Sequence, residues 1–229
     1  MKDKNLDKIV LASIDAALKP TTVKEAYVAV PKKFTLRTEK LSEKVKAFRI
    51  KHFEKTVESL NKVSAQLDGV DLSAVDSNIA GAFRNLKLDE SYAINDAFLQ
   101  AQFLENISDV NSSISMDMLC YMRLSRDFGD FDTWQKNFMA CAKSSRNGYV
   151  VTAYSIYLKR FINFVVDDAS EGIPFAAIPV IVLNVSQAVY VKDYLEDIDS
   201  YVKNMMREFD WQVIEDRIKK CEKIAKIYG

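Results

Sequence analysis

The sequence predicts an α+β fold: a long N-terminal helical hairpin, then an α/β domain with a small three-stranded antiparallel sheet flanked by helices. Three observations predict it. Apolar residues recur at helical spacing through most of residues 38–106. Val, Ile, Tyr and Phe then gather in three short runs between residues 149 and 185, as strands require. Helical periodicity returns from residue 186 to the end. Helices, a run of strands and closing helices describe segregated α and β layers rather than an alternating α/β wind.

The elements follow in order. Leu6, Ile9, Val10, Ile14 and Leu18 predict a short amphipathic helix over residues 4–19, which Pro20 ends. Residues 1–31 thus form a helical extension and linker. Leu41, Val45, Phe48, His52, Val57 and Leu60 share one face of a long helix starting near Thr38, with Thr38 or Ser42 as its cap and Asp68-Gly69 as its end. Residues 73–106 form its helical partner, with an interruption around Lys87 to Ser91. The Asn/Ser-rich segment Ser108 to Ser115 marks a boundary between a hairpin domain, residues 32–112, and a C-terminal domain, residues 113–229. Within the latter, residues 116–126 and 131–145 are helical. Tyr149 to Leu158, Phe161 to Val166 and Ile178 to Val185 are strands, and residues 186–206 and 211–227 are helices. No internal repeat or low-complexity segment is present.

Composition excludes several classes of function. Lys plus Arg equals Asp plus Glu at 32 each among 229 residues. A chain without basic excess lacks the phosphate-neutralising charge on which broad nucleic-acid binding depends. Cys120, Cys141 and Cys221 have no CxxC spacing and read as small buried hydrophobes of a reducing compartment. No apolar run approaches the roughly 18 residues of a membrane span. Asp3, Asp7 and Asp15 in the first segment are foreign to a transit or signal peptide, so the expected place is the cytoplasm or a particle assembled there.

Five ordered segments carry a resemblance to a known family. Residues 178–194, IPVIVLNVSQAVYVKDY, resemble the metal-binding signature of the iron/manganese superoxide dismutases in the frame of Pro179, Val185, Tyr190, Asp193 and Tyr194. Tyr201 and the block Phe209-Asp210-Trp211 resemble that family's closing elements. Asp127 to Phe131 with Phe138 resembles its Phe-Gly-Ser-Phe helix start. Lys51-His52, Val57 and Leu60-Asn61 resemble its first long helix. The resemblance spans residues 34–215. It implies a single iron or manganese held by three His and one Asp, a donor set suited to such an ion.

Carried over residue by residue, the first His falls on Phe48, or on Arg49 if the helix shifts by one. The second falls on Gln100, the Asp on Asn184 and the third His on Ala188. Gln187, Ser186 and Thr56 replace further residues of the family's site. The whole chain holds one histidine, His52, at a gateway position rather than a ligand position. This pattern implies a chain with no metal and no cofactor, and a non-catalytic structural subunit of a large assembly, a virus or phage particle or a mitochondrial small ribosomal subunit. Its partners would be protein subunits, as a homodimer or with a related chain. Gln187 and Phe53 at the family's dimer contact put the usual dimer in doubt. A mitochondrial matrix location would follow from the ribosomal case. The alternative is an oxidoreductase of the superoxide dismutase type with an unusual metal site. Phe48 and apolar neighbours would fill the old metal cavity, because a void costs stability.

Other chemistry finds no support. There is no GxGxxG, P-loop, GxSxG or HExxH, and six glycines leave little for a phosphate-cradling loop. Asp167, Asp168 and Glu171, and Glu196, Asp197 and Asp199, read as solvated acidic loops or caps, lacking the alternate spacing of a calcium loop. Tyr149, Tyr154, Tyr157, Phe161 and Phe164 read as a sheet face.

Overall fold

The computed structural model describes residues 28–75, 77–78, 81–109 and 112–228. The helix expected over residues 4–19 lies outside them. The hairpin consists of α1 (Glu43–Asp68) and α2 (Ala82–Asn106). Ser42 caps α1 by accepting from the Val45 N–H. Between the two helices, Asp71 Oδ1 accepts from both the N–H and the hydroxyl of Ser73, at 3.0 and 2.6 Å. These local bonds compete with helical ones, so residues 72–74 form one 3₁₀ turn and α2 starts later than its apolar pattern suggested. The expected break near Lys87 is absent. The Ser91 hydroxyl bonds back to the Lys87 carbonyl inside a continuous helix.

Two helices, α3 (Leu119–Phe128) and α4 (Phe131–Ser144), lead into strands β1 (Gly148–Ser155), β2 (Arg160–Asp167) and β3 (Ala177–Asn184). The sheet is antiparallel with order β2-β1-β3, and a bulge between Thr152 and Ala153 shifts the β1–β3 register. Tyr149 sits opposite Val166 on one side and Asn184 on the other. The segment expected to be one helix after β3 is two: α5 (Gln187–Tyr194) and α6 (Ile198–Arg207). Leu195 takes a left-handed φ of 54°, and Asp197 starts a new helix by accepting from the Ser200 N–H. The last helix, α7 (Trp211–Tyr228), crosses back over the sheet to meet α2, α3 and β3.

The core is continuous from hairpin to sheet. Its centre is aromatic: Phe131, Trp134, Phe138, Phe209 and Trp211 have neighbouring ring centroids 4.9–6.1 Å apart. The buried Trp134 indole N–H donates to Thr152 Oγ1 at 3.0 Å, so its one polar group is satisfied. Arg217 fastens the other side of the sheet. Its guanidinium bonds Glu105 at 2.6 Å, the Asn106 side chain, and the carbonyls of Gln102 and Val180, joining α2, β3 and α7. Among the described residues no helix is long and apolar enough to cross a membrane.

Candidate functional site

Where the hairpin meets the sheet, α1, α2, the start of β1, the end of β3 and the start of α5 enclose an open cavity of about 530 Å³. Helical spacing places Phe48, Arg49, His52 and Thr56 of α1 on its wall, with Arg49, His52 and Thr56 three and four residues apart and Phe48 four before His52. Ala93 and Asp96 come from α2, Tyr149 from β1, and Asn184 and Ala188 from the β3–α5 junction. Gly148 permits the close approach of β1 to β2 beside it: a Cβ there would lie 2.0 Å from the Val166 carbonyl oxygen.

Three of the four positions assigned by resemblance, Phe48, Asn184 and Ala188, therefore line one cavity. Gln100 stands behind the wall, and the carboxylate that reaches the cavity beside it is Asp96, four residues earlier on α2. Phe48 does not fill the space. It is 53% exposed at the rim, stacked beside His52 with centroids 6.0 Å apart. The expectation of an apolar plug is overturned because Phe48 lies at the rim, and bonded polar side chains of α1, α2 and β1 share the wall with apolar surface.

Asp96 is the centre of that wall. Its Oδ1 accepts from the Tyr149 hydroxyl at 2.8 Å, and its Oδ2 accepts from Gln100 Nε2 at 2.7 Å and the Thr56 hydroxyl at 3.3 Å. Both oxygens are thus engaged, as a buried carboxylate requires. Burial, and then the Asp96 charge, raise the Tyr149 hydroxyl pKa well above its ordinary value, so it remains a proton donor. Tyr201, fully buried beneath the cavity floor, donates to the Asn184 carbonyl at 2.7 Å and packs on Tyr190 and Tyr194. Asn184 Oδ1 accepts from both the N–H and the hydroxyl of Ser186, at 2.9 and 2.7 Å.

Arg49 adds a positive charge to this carboxylate site. It is 4% exposed, and its guanidinium lies 5.2 Å from the Phe48 ring centroid. Its Nε and Nη2 have no hydrogen-bond partner among the described residues. Burial lowers its pKa, and the nearby Tyr201, Tyr149 and Asp96 oppose that shift. A guanidinium stays protonated at neutral pH. Burial also depresses His52, with Arg49 and Lys55 adding to the effect and Asp96 resisting it. At neutral pH its imidazole is therefore uncharged.

These residues do not fit an iron or manganese centre of the three-His, one-Asp kind. The cavity offers two carboxylates, Asp96 and Asp168, both already accepting hydrogen bonds, one imidazole and two amides, Asn147 and Asn184, beside a buried cation that repels a metal ion. Among the described residues no group of three or more His, Cys, Asp or Glu side chains is arranged to hold a metal ion.

Sequence reasoning placed Phe48, Asn184 and Ala188 at the site and named Arg49 as the neighbouring candidate. It missed Asp96, although the signal was there. Asp96 is an acid on the same stripe of α2 as the buried Ala93, Gln100 and Phe103, and an unmatched acid on a buried face needs partners. Of the acidic loop residues, Asp168 lines the cavity, where it accepts from the Tyr92 hydroxyl at 3.4 Å, and others serve the fold. Asp167 accepts from Ser145 and the Arg146 N–H, Asp197 caps α6, and Asp199 pairs with Lys143 at 2.7 Å. Cys120 and Cys221 are buried and Cys141 is half-buried, all as free thiols.

Comparison with known proteins connects this fold to a family. Residues 119–217 match the C-terminal domain of the iron/manganese superoxide dismutases. The chain is 27% identical over 158 residues, 68% of its length and 77% of the relative's, to the iron superoxide dismutase of Cupriavidus metallidurans. It is 29% identical over 99 residues, 43% of its length and 49% of the relative's, to a manganese superoxide dismutase of Halobacterium salinarum. A manganese superoxide dismutase of Haloferax volcanii is 26% identical over 133 residues, 58% of this chain and 63% of the relative. All three relatives are named as enzymes. That finding overturns the expectation of a non-catalytic structural subunit, and no relative points to a virion or a ribosome. The expectation had leaned on the replaced ligand positions and the single histidine, which say what a site lacks and not what it does.

Proposed function

We propose that this chain, a relative of the iron/manganese superoxide dismutases that carries their C-terminal domain at residues 119–217, acts as an oxidoreductase of the superoxide dismutase type with an unusual centre. One observation carries the reading. The cavity lies where Phe48, Asn184 and Ala188 converge, at positions that resemblance assigns to the family's metal ligands. A site abandoned by function would be expected to collapse into packed core, since a cavity costs stability in proportion to its size. This one is instead lined by a bonded carboxylate, an uncharged histidine and a buried guanidinium.

The chain's own residues have definable tasks in such a site. Arg49, with Lys55 further out on α1, supplies positive potential for a small anionic substrate such as superoxide. Tyr149 and Gln100 fix Asp96 in one orientation. Tyr149 holds its proton on the bond to Asp96 Oδ1. The redox group is not specified by these residues, because the donor set does not match that of the family.

The test is a superoxide dismutation assay on the purified native protein, with elemental analysis of the same sample. Activity that tracks a bound redox metal or other group, and falls at least tenfold in Asp96→Asn while circular dichroism is unchanged, supports the reading. A folded protein with neither activity nor a bound redox group overturns it.

A further inference from the structure

We infer that the end of the sheet remote from the cavity is a docking surface for an anionic lipid bilayer, on which the protein rests without spanning it. Strand pairing sets Ser155 opposite both Arg160 and Ala177 at this end, and Tyr149 opposite Asn184 at the cavity end. Residue steps of about 3.3 Å along β1 put the two ends about 20 Å apart, so the surface is separate from the site described above.

Large apolar side chains stand uncovered at this end. Phe175 is 100% exposed, Tyr157 88%, Tyr228 73% and Leu158 54%. They come from three segments that meet there. The Ile156 N–H donates to the Ala176 carbonyl at 2.9 Å, which ties the β1–β2 turn to the residues before β3. The last turns of α7 reach the same place, where Ala225 and Lys226 share a cleft with Ile156 and Lys159. Lys159 and Ala176 hold φ at 53° and 56°, left-handed values that persist only where the surrounding fold dictates them. The two tips are therefore held in place.

Cations stand beside these tips. Arg123, Arg126, Lys159 and Lys226 line the cleft. Arg123 pairs with Glu222 and Arg126 with Asp127, whereas Lys159 and Lys226 have no ion pair among the described residues. The whole chain carries equal numbers of acidic and basic residues, so this basic excess is local. Its pattern selects the occupant. Single exposed apolar residues are ordinary, but a cluster of them at one tip marks an interaction surface. A partner helix or strand needs a groove or an open edge, and side chains exposed to this degree project outward instead. Projecting Phe and Tyr rings suit the headgroup boundary, where the ring is buried and the Tyr hydroxyl stays wet. Lysines beside them gain from the negative potential of anionic headgroups, with their stems against apolar surface.

The test is flotation of the full chain with phosphatidylcholine vesicles, and with vesicles of equal parts phosphatidylcholine and phosphatidylglycerol. The expected result is saturable binding to the mixed vesicles that weakens as salt is raised. Phe175→Ser and Lys159→Glu should each weaken it by about fivefold or more. Leu72→Ser, at an exposed apolar position on the hairpin, should leave it unchanged. All three positions are exposed, and circular dichroism on each variant checks the fold. The emission of Phe175→Trp should shift to the blue on the mixed vesicles, beyond any change in the wild type, whose Trp134 and Trp211 are buried. No binding to the mixed vesicles overturns the inference, as does binding that Phe175→Ser or Lys159→Glu leaves unchanged. A chain that ignores vesicles but self-associates through Phe175 in sedimentation velocity also overturns it, and seats a second copy on this surface instead.

Discussion

Single residues of the cavity wall make two predictions. His52 is the chain's one histidine, so its imidazole gives a single set of ring resonances. Burial, then Arg49 and Lys55, hold its pKa below the usual 6.5, with Asp96 resisting the shift. A proton titration followed by NMR should show a midpoint below 6.5, moving upward in Arg49→Gln. The consequence for stability has a definite sign. Between the folded and unfolded pKa values the unfolded chain binds more protons, so the His52 contribution falls as pH drops below about 6.5. Tyr149→Phe is the second case. It removes the one donor to Asp96 Oδ1 and leaves a buried carboxylate oxygen unpaired. The expected loss is about 1–3 kcal/mol in urea unfolding. An unchanged midpoint would mean that another donor replaces the hydroxyl. The identities of Phe48, Asn184 and Ala188 as site positions were legible in sequence because they sit in segments with a recognisable frame. Asp96 was not, because its importance lies in a bond to Tyr149, 53 residues away.

At the scale of elements, most boundaries followed local chemistry, and the misses have local causes. Apolar periodicity alone extended α2 toward residue 73, where Asp71 and Ser73 bond each other instead. The same periodicity ran α5 and α6 together across Leu195 and the Asp197 cap. The N-terminus of α3 shows the opposite lesson. Its N-cap, Met118, makes no side-chain capping bond, and the N–H groups of Leu119 and Cys120, which lack helical partners, are met by Glu215 of α7, at 3.3 and 2.8 Å. No local pattern could reveal a cap delivered from 95 residues away. Burial pushes the Glu215 carboxyl up, but the Cys120 N–H, Lys219 and the Leu119 N–H together hold it below its ordinary value. Its contribution is therefore present above about pH 4.5 and lost as pH falls through the lowered folded value. Glu215→Ala should cost about 0.5–2 kcal/mol at neutral pH, measured by chemical denaturation. The deficit relative to wild type should narrow in acid, and a deficit independent of pH would rule out the charged cap.

For the whole molecule, two anchors join the layers. Arg217 binds Glu105, Asn106 and the carbonyls of Gln102 and Val180, so it connects the hairpin to β3 and α7. Arg217→Met would strand Glu105 with only Lys32 as a cationic partner. The pair is partly buried, so the expected cost is about 1–3 kcal/mol, that of hydrogen bonds to charged groups lost at a half-buried site. A change below about 1 kcal/mol would mean that water reaches Glu105 freely. On the other face, Trp134→Ala should cost about 3–5 kcal/mol, because it removes the largest fully buried side chain and its bond to Thr152. Both variants should lower the thermal midpoint in a single transition if hairpin and sheet unfold together.

The sequence by itself determined the α+β class, the order of helices and strands, the antiparallel sheet and the likeness to the superoxide dismutases. Each of these depends on periodicity, turn chemistry or ordered motifs that neighbours in the chain carry. Tertiary structure alone decided that Asp96 rather than Gln100 reaches the cavity, that Phe48 stays at its rim, and that the edge of Arg49 is buried without a partner. The physical reason is that a side chain's direction on a helix fixes its face, while its charge environment is set by residues far away in sequence. Tyr149, Asn184 and Tyr201 meet the hairpin only after the sheet has closed against it.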